Sequence, residues 1–208
     1  MRLQKRKKCA KARGLLPNQL FLIQNCMDMR EKLLRQNANY TVKIEALLKE
    51  LADYADPTLN RSPRPGAWSA LQVCWHLIEA ESLSLAYVRK KMQATDDLPK
   101  AGWKSGRAKM TLWFYLNTPL RFKAPAVVAD EKLPERSNLH ETRARWMQVR
   151  AAWRDYFEQL PNDLLDKAVY RHPFVGRLSW SGVFTFFVQH FMRHRKQIRR
   201  TLRAAQND

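Results

Sequence analysis

The chain has 208 residues and 24.5 kDa, 45% of them hydrophobic and 27% charged, a length that fits one domain and a composition that excludes full-length disorder and low-complexity fibre. Its 6 glycines are too few for a turn-dense sandwich or a glycine-rich nucleotide-binding fold. Lys and Arg number 38 against 19 Asp and Glu, a net charge of +19 that raises phosphate-bearing and anionic-membrane partners for consideration.

Part of that charge sits at the start. Arg2, Lys5, Arg6, Lys7, Lys8, Lys11 and Arg13 precede the first acid, Asp28, and the remainder from residue 29 still carries +13. Residues 1–28 read as a basic extension, either disordered or the product of a start upstream of Met27 and Met29. Pro17, Asn18 and Gln19 interrupt its apolar stretch, and no small-residue cleavage site follows, so it does not read as a secretory signal. No apolar run approaches the roughly 20 residues of a membrane span. Cys9, Cys26 and Cys74 form an odd, widely spaced set without a CxxC motif, which points to a reducing, cytoplasmic setting.

Four amphipathic helices are expected from residue 29 to 205. The first runs from about Asp28 to Tyr54, carrying Leu33, Tyr40, Ile44, Leu47, Leu48 and Leu51 at three- and four-residue steps. Pro57, Pro63, Pro65 and Gly66 make a loop of the segment that follows. Ser69 is placed as N-cap of the second helix, with Gln72 completing a capping box. Val73, His76, Leu77, Ala80, Leu83 and Tyr87 form the expected inner face. Residues 95–137 read as a long ordered crossover, with a short helix at Lys109–Leu116, because Pro119, Pro125 and Pro134 forbid one long helix. The third helix begins at Asn138 and ends before Pro161, its apolar side supplied by Trp146, Val149, Trp153, Tyr156, Phe157 and Leu160. A linker from Asn162 to Leu178 leads to the fourth, whose stripe is Trp180, Phe184, Phe187, Phe191, His194, Ile198 and Leu202. The fold class expected is all-α, a four-helix bundle.

Only five histidines occur, and His190 and His194 lie four apart on the last helix, where two imidazoles stand on one face. His76 lies on the inner face of the second helix. Facing helices of a bundle supply the ligands of a core metal in this way. Singly, His76 also reads as a hydrogen-bonded core residue and His190 as a half-exposed one. Glu79, one turn from His76, reads as a weak catalytic candidate and more simply as a solvated carboxylate. Gln197 stands between a surface amide and a partner of His194, and Arg177, Trp113 and Tyr115 are candidates for the pocket mouth. His172 reads as a turn-stabilising residue, His140 as solvated, and Trp68 and Trp180 as anchors. Cys74 points away from His76 around the helix and is rejected as a co-ligand.

Trp68-Ser69, Val73, His76-Leu77 and Glu79, followed far downstream by His190, His194-Arg195 and Gln197-Ile198, resemble the DinB-like superfamily. The run His172-Pro173-Phe174-Val175-Gly176-Arg177-Leu178-Ser179-Trp180 is similar to the HP.FG.L linker of one branch. The resemblance covers about Met29 to Ala204. It implies an up-down-down-up four-helix bundle with a long crossover between helices 2 and 3. It also implies a divalent metal held by His76, His190 and His194, and homodimers in many members. Relatives include S-transferases using bacillithiol, mycothiol or glutathione, a mycothiol-dependent isomerase, and proposed hydrolases.

Three neutral histidines leave open coordination positions, the catalytic rather than the structural pattern, and a donor set that suits Zn, Ni, Fe or Mn. Such a metal would assist attack by a low-molecular-weight thiol or by water on a small-molecule electrophile. The alternative is a non-catalytic basic protein contacting nucleic acid or an anionic surface. Against it stand the spread of basic residues over several helices and the lack of a recognised nucleic-acid motif.

Overall fold

A computed structural model describes residues 17–92, 99–102, 133–172 and 176–206, with residues 107 and 111. The described chain is mostly helical. Helix α1 spans Pro17–Leu51, α2 Asp56–Leu59, α3 Ala70–Met92, α4 Leu139–Gln159 and α5 Trp180–Gln206.

Local chemistry sets these limits. α1 starts well ahead of Asp28, so the boundary expected at residue 28 falls inside a helix. Pro17 suits a first turn, where its missing N–H costs nothing, and residues 18–27 contain neither glycine nor a second proline. Residues 1–16 lie outside the described residues. α1 ends at Leu51 rather than Tyr54, whose amide bonds back to the Leu51 carbonyl in a turn. α2 occupies part of the expected loop, with Pro57 in its first turn. The capping box of α3 forms in both directions: Ser69 Oγ accepts from the Gln72 amide at 3.2 Å, and Gln72 Oε1 from the Ser69 amide at 3.0 Å. Asn138 Oδ1 caps α4 by accepting from the Glu141 amide at 2.8 Å.

The linker to α5 is not wholly irregular, which qualifies the all-α expectation. Its strands β1 (Tyr170–His172) and β2 (Gly176–Leu178) pair antiparallel, with His172 opposite Gly176. Gly176 has φ +84°, a conformation that side chains resist. Tyr170 ties the hairpin to α3 through a 3.0 Å contact with Ser84 Oγ. Of the expected crossover, residues 99–102 lie beside this linker: the Ala101 amide donates to Asp166 and the Ala168 amide to Pro99. The short helix expected at Lys109–Leu116 falls outside the described residues except at residue 111.

The long helices pack in pairs, α1 and α3 each against α4 and α5. Arg30 of α1 donates to the carbonyls of Phe157, Glu158 and Leu160 at the far end of α4, while Asn37 meets Arg150 nearer its middle. These two helices therefore run in opposite directions. Along α5 the order is the same as along α1, with Gln36 on Ser181 and Glu50 on Arg195 and Arg199. Every apolar residue expected to line α1 is buried, as are all those of α5. Trp153, Phe157, Trp180, Phe184 and Phe187 make the aromatic part of the core. Among the described residues, no helix is long and apolar enough to cross a membrane.

The α3 face differs from expectation. Ala80, Leu83 and Tyr87 are only half-buried, whereas Cys74, Ile78, Glu81, Ser84 and Val88 are buried. Glu81, at 2% exposure, lies among donors from two other helices, α1 and α4. Its Oε1 accepts from Tyr40 at 2.8 Å and from the Trp146 indole at 3.0 Å, and its Oε2 from Arg150 at 2.6 Å. Arg150, equally buried, also donates to Asn37 and to Thr41 and lies 4.7 Å from the centre of the Tyr40 ring. A charge in the interior is tolerable only with such partners. Arg150→Ala would leave Glu81 buried without its counter-charge, and a loss of about 3–5 kcal/mol is expected in urea unfolding. The pair Glu81→Met with Arg150→Met should lose less than that single change, because no lone charge remains.

Candidate metal centre

α3 and α5 bring His76, His190 and His194 together. His76 is buried, while His190 and His194 are half-buried. The ligating atoms all lie within 4.8 Å of one another. His76 Nε2 is 3.3 Å from His190 Nε2, which is 3.0 Å from His194 Nε2. Two nitrogens bound tetrahedrally at 2.0–2.1 Å to one ion would stand about 3.3 Å apart. The His76–His190 and His190–His194 spacings are therefore close to those of two ligands on one ion.

Proton placement supports the fit. His194 Nδ1 lies 2.9 Å from Gln197 Oε1. A carboxamide oxygen can only accept, so Nδ1 carries the hydrogen and Nε2 is left bare. The bare Nε2 faces His190 Nε2. Two lone pairs at that distance repel unless a proton or a cation stands between them. Removal from water pushes His194 down to about 3, and the neighbouring His76 adds to the shift. His190 is also held well below its ordinary value, by burial first and then by His194 and His76. Both rings thus stay neutral, the form that binds metal.

The aromatic surround is specific. Trp68, expected as a loop anchor, places its ring 4.9 Å from that of His76. Phe186 stacks on His190 with centroids 5.3 Å apart and planes 11° from parallel. On its other side Phe186 meets His172 at 4.9 Å. His172 is buried at 6% exposure, and burial lowers its imidazole to about 4. The sequence reading assigned it to a turn and missed this proximity. Its one available signal was the hairpin pairing that brings β1 beside α5, and strands of three residues leave little trace in a sequence.

The weaker candidates separate. Gln197 makes the bond to His194 just described. Glu79 is half-buried one turn beyond His76, and the hydrogen bonds among the described residues do not join it to the three histidines. Arg177 is exposed on β2 opposite Arg171. His140 is exposed on the first turn of α4. Cys74 is buried outside the cluster, with its thiol pushed up to about 12 by burial. Trp180 anchors the linker as expected, its indole donating to the Leu164 carbonyl at 2.8 Å. Trp113 and Tyr115 lie outside the described residues. Of the basic residues on α5, Arg195 and Arg199 are both bonded to Glu50, which matches part of the helix's charge internally.

Comparison with protein families gives a match to the DinB superfamily over residues 40–198, well over half of the chain and inclusive of all three histidines. Searches of curated proteins and of solved structures gave no match.

The depressed histidines predict a pH dependence of metal-free stability. As pH falls below about 6.5, the unfolded chain binds protons that native His172 and His194 refuse. Stability is therefore expected to fall from pH 6.5 to about 4 for His172, and on to about 3 for His194. Urea midpoints across this range should show a shallower decline in His172→Asn than in the wild type. Parallel slopes would place His172 in water.

Proposed function

Because the chain belongs to the DinB superfamily, we propose that it is a metal-dependent enzyme whose centre is His76, His190 and His194. The fold in this reading is an up-down-down-up four-helix bundle over residues 29–205, with α2 as an insert and a long crossover between α3 and α4. The paired contacts support it: α1 runs with α5 and against α4. Residues 17–28 of α1 lie ahead of that unit.

The reaction is attack by a low-molecular-weight thiol or by water on a small-molecule electrophile, an S-transferase or hydrolase activity. The carrying observation is the convergence of three imidazole nitrogens from helices remote in sequence, with neighbouring pairs 3.0 and 3.3 Å apart. A divalent ion there, Zn, Ni, Fe or Mn, supplies Lewis acidity and makes a thiol or water easier to deprotonate. The chain's own residues perform the positioning. His76 comes from a helix whose register is held by Glu81, and Gln197 orients His194. Trp68 and Phe186 flank the imidazoles with apolar surface that keeps water from their faces. A cytoplasmic homodimer completes the reading.

The test is elemental analysis of untagged protein prepared without a metal column. One divalent ion per chain is expected. His194→Ala should lower its affinity by more than the roughly 10–100-fold typical of losing an outer partner. Retention of the metal with unchanged affinity in His76→Ala, His190→Ala and His194→Ala would overturn the assignment. With metal bound, thiol titration of the Co(II) form should perturb its visible spectrum if the thiol is the nucleophile, and leave it unchanged if water is.

A further inference from the structure

Gln197 lies three residues beyond His194, on the same side of α5, and is half-buried. Its carboxamide oxygen stands 2.9 Å from His194 Nδ1, on the edge of the ring remote from the other two histidines. A histidine bound to metal through one nitrogen commonly donates its other N–H to a carboxylate or carbonyl, and the identity of that acceptor sets how much electron density reaches the ion. Here the acceptor is neutral. The buried carboxylate of Glu81 is engaged by Arg150, Tyr40 and Trp146. Among the described residues, the candidate cluster contains three histidines and no acid.

We propose that Gln197 is a positioning residue that selects for an anionic ligand: it fixes the His194 tautomer so that Nε2 faces the ion, while adding no negative charge to the site. The inference rests on the metal reading above and extends it to a ligand class. With three neutral imidazoles and a neutral amide, the centre keeps the full charge of a divalent ion. An anion entering the open position gains the Coulomb attraction of that charge in a partly desolvated setting, and a neutral ligand does not. A carboxylate in place of the amide would keep the hydrogen bond and cancel part of the attraction. Hydrogen bonding and charge are thereby separable by substitution.

Three forms of the full chain carry the test: wild type, Gln197→Glu and Gln197→Leu. The first measurement needs no metal. Long-range ¹H–¹⁵N spectra of the metal-free protein should show His194 in the Nδ1–H tautomer in wild type, and a shift toward the other tautomer in Gln197→Leu. The second uses the Co(II) forms, titrated with azide as the anion and imidazole as the neutral ligand, read by visible absorption. Gln197→Leu should bind Co(II) about 10–100-fold more weakly. Gln197→Glu should bind Co(II) at least as tightly as wild type, yet lose about tenfold in azide affinity relative to imidazole. An unchanged azide-to-imidazole ratio in Gln197→Glu, or an unchanged His194 tautomer in Gln197→Leu, would overturn the inference while leaving the metal centre in place. Wild-type protein that binds no Co(II) would overturn both readings.

Discussion

The carboxylate of Glu81 has to be held away from water, and much of the interior follows from how this is met. Desolvating a carboxylate costs several kcal/mol, and the attraction of one counter-charge returns that only when the remaining lone pairs are also engaged. Tyr40 from α1 and Trp146 and Arg150 from α4 provide those partners. Arg150 is in turn satisfied by Asn37 and Thr41 of α1. Apolar packing tolerates a helix sliding by a fraction of a turn, but this network does not, because every donor has one acceptor within reach. Glu81 therefore pins the axial position of α3 against α1 and α4. His76 lies five residues earlier on the same helix, roughly 7.5 Å along the axis. Fixing Glu81 fixes the level at which His76 meets α5.

The other half of the centre depends on α5. Its apolar stripe is continuous from Trp180 to Leu202, and Phe191 lies against both Tyr40 and Trp146. The residue next to a metal-ligand candidate thus contacts the very groups that bind Glu81. The buried ion pair and the histidine cluster are two levels of one packed interior. The first sets register, and the second uses the alignment that results.

These levels differed in how far the sequence disclosed them. Apolar periodicity located α1, α4 and α5 because their core positions are large hydrocarbons, such as Ile44, Trp153 and Phe187, that have no other place to go. Ser69 and Gln72 marked the start of α3 because a capping box is a local arrangement. The histidine triad was legible because two members sit at helical spacing and few others compete. Glu81 and Arg150 were not legible. A charged residue scores as solvent-facing until its partners are known, and those partners lie 41 to 69 residues away. The same blindness rotated the expected inner face of α3 toward Ala80, Leu83 and Tyr87 and away from Glu81. His172 was obscured for a related reason: its burial depends on a three-residue hairpin, too short for alternation to be visible. At Pro17 the sequence signal was present but was read only as an interruption of an apolar stretch, although a proline in the first turn suits a helix start.

The placement of charge completes the account of what this interior can do. Its buried acid is already neutralised by Arg150, and Glu79 is not bonded to the cluster. His190 and His194 are kept neutral first by desolvation and then by the neighbouring rings. Among the described residues, the cluster contains three histidines and no Asp or Glu. What remains is a set of neutral imidazole donors, flanked by Trp68 and Phe186 and built into a strongly basic chain. In the proposed reading such a set leaves the charge of a bound cation unquenched, which favours a reacting group that brings its own negative charge or acquires it on binding by losing a proton. The thiol and water alternatives of the proposed reaction both meet that requirement, and they diverge in how readily that proton departs.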